Sequence, residues 1–293
     1  MYRRRFLAAA VDMVSGLVAG SLLAATSVPA KTSPNSPKDL SMSNQSGTGH
    51  RVRVFITGSA DGLGHAAAET LLAQGHEVVV HVRTQARLAA VKELVERGAI
   101  ATIADLSDFA QIRDLASQVN AIGHMNAVIH NAGVMTGTQL LAVNVVAPYL
   151  LTAMIQRPQR LIYLSSSMHA GGRASLTGMD WSGRTSTGSY SDSKLFLTAL
   201  SAAVARRWQD VLSNAVDPGW VPTKMGGPSA PDDLRLGHLT QEWLATSNDP
   251  EALTSGGYWY HQRRQKPLPA VNDTQFQDLL LAELARATGT TLP

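Results

Sequence analysis

Tyr190 and Lys194 stand four residues apart at the head of an apolar stretch, Leu195-Phe196-Leu197 with Ala199 and Leu200. On an α-helix that spacing puts both side chains on one face. A phenol ionises near pH 10, so it trades protons at neutral pH only with positive charge beside it. Lowering it by about three units takes roughly 4 kcal/mol of differential stabilisation. Lys194 together with an oxidised nicotinamide supplies charge of that kind. Alone, a Tyr-x-x-x-Lys pair also recurs by chance on helix surfaces, so its meaning depends on what surrounds it.

A second constellation lies near the start of the fold. Thr57-Gly58-Ser59-Ala60-Asp61-Gly62-Leu63-Gly64 follows a strand pattern and opens a helical one. Glycines there allow a tight turn, let backbone N–H groups approach a pyrophosphate, and aim a helix N-terminus at its charge. Gly58, Ser59, Asp61, Gly62, Leu63 and Gly64 are therefore the expected cofactor contacts, the bland alternative being a plain strand-to-helix connection. Arg83 lies 19 residues past Gly64, where an acidic residue would accept the adenine ribose 2′-OH. A guanidinium pairs instead with a 2′-phosphate. NADP(H) is the favoured cofactor and NAD(H) stays open, as does a plain surface role for Arg83.

These residues need a scaffold, and the chain shows one. Arg51–Thr57, Glu77–Arg83, Ala99–Ala104, Asn126–His130, Arg160–Ser165 and Leu212–Val216 are apolar runs of strand length, with Tyr258–Tyr260 closing the series. Helical patterns at Gly62–Gln74, Gln85–Arg97 and Asp108–Val119 lie between them, and Gly75 and Gly98 sit where helix C-terminal glycines belong. This alternation predicts an α/β fold: one Rossmann-type, doubly wound domain with a mainly parallel seven-stranded sheet. Arg263, Arg264 and Lys266 read as a solvated run after the last strand. Phe276–Leu284 reads as a helix docking on the domain or on a partner. His65, His124, His169, His238 and His261 show no metal-ligand spacing, so no metal is expected.

Taken together, the motifs resemble the short-chain dehydrogenase/reductase family, in order over residues 50–262. The turn at Thr57–Gly64 matches its Thr-Gly-x-x-x-Gly-x-Gly pattern. Asp105-Leu106 matches its adenine-side pair, and Asn131-Ala132-Gly133 its motif after the fourth strand. Asn144 falls where its helix-borne Asn lies, and Leu161-Ile162-Tyr163-Leu164-Ser165-Ser166 resembles its fifth strand. Tyr190 and Lys194 follow, then Pro218-Gly219 and Thr223, where the family binds the nicotinamide carboxamide. Two spacings depart from the family: Asn131 and Asn144 are 13 apart, short for it, and Ser166 and Tyr190 are 24 apart, long for many members. The long spacer and the Ser165-Ser166-Ser167-Met168-His169 stretch are similar to its retinol-dehydrogenase-like branch.

The resemblance implies hydride transfer between NADPH and a small or medium carbonyl or alcohol substrate. It makes Tyr190 the general acid/base and Ser166 a hydrogen-bond donor to the carbonyl oxygen, with Ser165 and Ser167 as structural alternatives. Lys194 holds the nicotinamide ribose and Asn144 positions a water. A substrate pocket is expected between Gly171–Ser189 and Trp220–Leu244, with Trp220, Trp243 and Met225 either lining it or packed in the core. A non-catalytic nucleotide sensor on the same fold is the alternative from another class. A sugar-nucleotide epimerase or dehydratase fits less well, because its relatives usually carry a Gly-x-x-Gly-x-x-Gly turn.

Charge and composition narrow the field. The 293 residues hold 25 Lys and Arg against 22 Asp and Glu, and no cysteine. Thiolate metal sites, disulfides and Cys nucleophiles are excluded. Arg3, Arg4, Arg5, Lys31 and Lys38 against Asp12 and Asp39 account for the whole net charge of +3, leaving 20 of each sign in the remaining 252 residues. A nucleic-acid footprint needs a basic stripe on the folded domain, and none is readable. Residues 1–41 read as a basic leader, 42–50 as a flexible linker and 51–293 as the domain. The leader resembles a twin-arginine signal cleaved after Ala30. The preferred reading is translation from Met42 and a cytoplasmic protein. No stable membrane span is expected, and homo-oligomerisation stays open.

Overall fold

Strand residues alternate between two apolar environments, and that alternation fixes the layers. Val54, Ile56, Val78, Val80 and Val82 pack on one face of the sheet with Ala67, Ala68, Leu71 and Leu244. Phe55, Val79 and Val128 turn to the other face, toward Ile112, Tyr149, Phe196 and Leu280. Side chains with a period of two can serve both faces only if helices cover both.

The computed structural model describes residues 51–293. The leader, its cleavage point, Met42 and the linker lie outside the described residues. The strands are β1 Arg53–Ile56, β2 Glu77–Val82, β3 Ile100–Ile103, β4 Ala127–His130, β5 Arg160–Leu164, β6 Leu212–Asp217, β7 Tyr258–Tyr260 and β8 Arg263–Gln265. Their order is β3-β2-β1-β4-β5-β6-β7-β8. Helices α1 Gly62–Ala73 and α6 Leu234–Thr246 cover the first face. Helices α3 Phe109–Ile122, α4 Ala147–Met154, α5 Tyr190–Arg207 and α7 Thr274–Thr288 cover the second. The chain reverses direction across the sheet between β1 and β4, so a crevice opens above the carboxyl ends of those strands.

The doubly wound parallel fold is as expected, but the sheet has eight strands and not seven. The eighth is the run Arg263–Gln265, which pairs antiparallel with β7. It carries no apolar residue, so no hydrophobic period announces it. A two-residue turn makes it: His261 at φ +47° and Gln262 at φ +60° both take the left-handed conformation that tight hairpins favour. The expected helix Gln85–Arg97 is also divided, into a 3₁₀ segment Gln85–Val91 and a short α2 Lys92–Glu96. Among the described residues no helix is long and apolar enough to cross a membrane.

Candidate active site

The glycine turn is clasped to the end of β4 by Asn131. Its Nδ2 donates to the carbonyls of Thr57 and Gly58 at 2.9 and 3.1 Å. In return the N–H groups of Asn131 and Ala132 donate to Thr57 Oγ1, both at 3.0 Å. A Cβ at Gly64 would stand 2.4 Å from Asn131 Nδ2 and 2.6 Å from the Gly58 carbonyl. Gly64 is thus demanded by this clasp, and Gly58, whose Cβ would stand 2.9 Å from Ala132 Cα, by the neighbouring backbone. Ser59 is fully buried and donates to the Ile56 carbonyl. Gly62, at φ +59°, lies on the open side.

That open side is a cleft of about 360 Å3 above the strand ends. Gly58, Asp61, Gly62, Leu63, Arg83, Asp105, Leu106, Asn131, Ala132, Gly133, Tyr190, Lys194, Pro218 and Thr223 all line it, as the motifs anticipate. Ser59, Gly64 and Gly219 are not among its lining residues. The cleft suits a dinucleotide on its own features. No side-chain cap occupies the first N–H groups of α1, which leaves that helix end to a phosphate. Ala104 and Leu106 give an apolar wall beside Arg83 and Arg87.

Helix α5 begins with a capping box that sets the position of Tyr190. Ser189 Oγ accepts the Asp192 N–H at 3.1 Å, and Asp192 Oδ2 accepts the Ser189 N–H at 2.8 Å. Asp192 Oδ1 also holds the Arg173 N–H. One turn on, Lys194 Nζ reaches the Leu164 carbonyl at 2.6 Å and lies 5.5 Å from the centre of the Tyr190 ring. Burial lowers the Lys194 ammonium to about 8, against the opposing pull of Asp217. Burial pushes the Tyr190 phenol up to about 12, Asp217 pushes the same way, and the Ser166 side chain beside it pulls down. The shift of Tyr190 thus runs opposite to the lowering expected from Lys194.

The three serines now separate. Ser165 is buried with its hydroxyl on Thr198 Oγ1 at 2.6 Å, and Ser167 faces solvent. Ser166 sits beside Tyr190, its Oγ accepting the Met168 N–H. His169 holds it there: Nδ1 donates to the Ser166 carbonyl at 2.8 Å while Nε2 accepts the Leu268 N–H at 3.0 Å. Asn144 is fully buried in a π-helical turn, Ala142–Val146, that runs into α4. Its Oδ1 accepts the Val134 N–H, and its Nδ2 donates to the Val134 carbonyl and to Ser193 Oγ. Of the expected pocket residues, Met225 lines the cleft, Trp243 packs edge-on against Trp259, and Trp220 is exposed with its indole N–H on the Gly226 carbonyl.

Sequence reasoning missed four residues here. Arg87 and Lys224 line the cleft and both pair with Asp61 Oδ2, at 2.8 and 2.7 Å. His81 is buried under the turn: its Nδ1 accepts the Gly58 N–H at 3.0 Å, and its Nε2 donates to the Ala104 carbonyl at 2.9 Å. Asp217 ends β6, accepting the Gly219 N–H and the Tyr258 hydroxyl. The one available signal was His81, a polar residue inside the apolar strand EVVVHV.

A family model described as short chain dehydrogenase matches residues 52–233. An uncharacterized oxidoreductase of Emericella nidulans is 36% identical over 257 residues, covering 83% of this chain and 99% of that protein. A protein of Streptomyces sp. strain C5 with the provisional name daunorubicin C-13 ketoreductase is 34% identical, covering 73% and 84%. Among solved structures, a blue fluorescent protein from a metagenomic library in complex with NADPH superposes with a TM-score of 0.59 at 22% identity, over 72% of this chain and 96% of that one.

Proposed function

The chain belongs to the short-chain dehydrogenase/reductase family of oxidoreductases, and from that premise we propose that it reduces a ketone or aldehyde with NADPH. The observation that carries this reading is geometric: Tyr190 stands beside Ser166 with Lys194 Nζ 5.5 Å from its ring centre, in a cleft that Arg83 and Arg87 also line. A phenol is a neutral proton donor at pH 7, and carbonyl reduction needs one beside the reacting oxygen. NADPH, when bound, supplies the hydride that goes to the carbonyl carbon while the oxygen takes a proton, leaving an alcohol and NADP+.

This chain's own residues do the rest. Tyr190 gives its proton to the oxygen, and the Ser166 hydroxyl donates a hydrogen bond to the same atom as negative charge grows on it. Lys194, buried and fixed by the Leu164 carbonyl, brings positive charge to the phenol face and a donor to the cofactor ribose. Asn144, whose polar atoms are engaged by Val134 and Ser193, acts as an anchor that ties the loop after β4 to α5. Arg83 faces the 2′-phosphate end, although Asp105 holds two of its donors. Both the Streptomyces relative named as a ketoreductase and the fold neighbour solved with NADPH support the reading.

NADPH-linked turnover over a panel of ketones and aldehydes tests it. Tyr190→Phe is expected to lower kcat by about 10²–10⁴-fold, the range for loss of a positioned proton donor. Undiminished turnover in that variant rejects the assignment of the acid. Nucleotide binding without turnover on any carbonyl points to the sensor reading.

A further inference from the structure

We propose that His169 is a positioning residue for Ser166, and that the Pro267-Leu268-Pro269 segment is the clamp that sets it, with Leu268 lying 99 residues further along the chain. The inference rests on the reading of Ser166 as the donor to the substrate oxygen. Ser166 caps the short 3₁₀ segment Ser167–Gly171 by accepting the Met168 N–H on its Oγ at 3.2 Å. An oxygen that already accepts from the backbone still has its own proton to give, which suits a donor to a developing oxyanion. Where that proton points depends on how the turn is held. The Ser166 carbonyl accepts twice from one residue, the His169 N–H at 3.0 Å and His169 Nδ1 at 2.8 Å.

The ring can do this in one tautomer only. Nδ1 donates while it carries the proton, and Nε2 of the neutral ring is then an acceptor. Its partner is the Leu268 N–H at 3.0 Å. That donor stands alone in its segment, because Pro267 and Pro269 on either side have no N–H. Leu268 itself is extended, at φ −52° and ψ 135°, the conformation a following proline favours. A third constraint is Tyr258 of β7, whose ring centre lies 4.6 Å from that of His169 and whose hydroxyl donates to Asp217 Oδ2 at 3.2 Å. His169 is buried, so water has little access to either nitrogen.

Neither His169 nor the Pro-Leu-Pro segment lines the cleft. Both therefore act on the reaction through the Ser166 turn, and their effect belongs in kcat and not in the binding of the cofactor. The stretch between β8 and α7 is in this way a working part of the active centre, although it touches no reacting atom.

Steady-state kinetics with NADPH and a ketone that the protein turns over, together with NADPH dissociation constants, test this. His169→Phe keeps a ring against Tyr258 and removes both side-chain bonds. It is expected to lower kcat about tenfold, the scale of one hydrogen bond, and to leave the NADPH dissociation constant within about twofold. In a Ser166→Ala background the same change is expected to cost less than about twofold more, because no hydroxyl is left to aim. Leu268→Pro removes the single donor at a φ that proline adopts. Its kcat is expected to be at least about fivefold below that of Leu268→Ala, which loses the same side chain but keeps the N–H. Equal losses from His169→Phe with and without the Ser166 hydroxyl mean a merely structural ring and overturn the positioning role. Equal kcat in Leu268→Pro and Leu268→Ala overturns the clamp, and this pair decides the matter even if His169→Phe does not fold. Undiminished kcat in Ser166→Ala alone instead rejects the underlying reading of Ser166.

Discussion

Replacing His81 by leucine has a cost that depends on pH, and the structure sets both its sign and its size. The neutral ring, with its proton on Nε2, accepts from Gly58 and donates to Ala104. A second proton on Nδ1 would point at the Gly58 N–H, and burial holds the ring's pKa down to about 4. The unfolded chain takes up that proton near pH 6.5. Between those values the unfolded state binds more protons, so stability falls as pH falls through the interval. At pH 4.5 the loss from this one ring is about 2.7 kcal/mol, two units at 1.36 kcal/mol each. The leucine variant has no proton to refuse. At pH 7.5 it lacks two hydrogen bonds and leaves a donor and an acceptor unpaired, a cost of roughly 2–3 kcal/mol. Urea unfolding followed by tryptophan fluorescence at pH 7.5, 6.0, 5.0 and 4.5 measures both proteins. The stability gap should narrow steadily and nearly vanish by pH 4.5. His130, buried with a pKa lowered to about 3, is common to both and cancels. A gap that stays constant over this range refutes the idea that neutral His81 clamps the turn.

Three further outcomes follow from the site. Lys194→Met should abolish turnover yet raise stability by about 1–2 kcal/mol at pH 7, because it removes a desolvated ammonium. Wild-type stability should accordingly rise between pH 8 and 10, where the unfolded chain still holds the proton that folded Lys194 has released, and the methionine variant should lack that rise. Asp217→Asn takes a negative charge away from Tyr190, so the pH midpoint for alcohol oxidation should move to lower pH in a kcat/KM profile. Gly64→Ala should destabilise by about 1–3 kcal/mol in denaturant titration, since its Cβ would meet both Asn131 and the Gly58 carbonyl.

How much of this was legible beforehand differs by kind of interaction. The strands and the glycine turn show in the sequence because apolar period and backbone constraints are local. Tyr190 and Lys194 show for the same reason, being one helical turn apart. Ser166 could be separated from Ser165 only once β5 had been laid against α5, where Thr198 takes the Ser165 hydroxyl. Lys224 and Asp61 are 163 residues apart, and no periodicity links them. The direction of the Tyr190 shift was also out of reach. It depends on burial and on the charge of Asp217, a residue brought near Tyr190 by the fold and not by the chain. Strand β8 went unread because a polar strand at a sheet edge owes its place to a turn geometry and not to a hydrophobic face.

That short strand also governs how copies of this protein can meet. Without it, β7 would offer an unpaired row of backbone donors and acceptors, with Tyr258 and Trp259 behind it. Instead the margin of the sheet is three exposed residues, two of them arginines. A second molecule adding its strand there would set guanidinium against guanidinium over a ladder too short to offset the repulsion. Continuous-sheet polymerisation is thus closed off at this border.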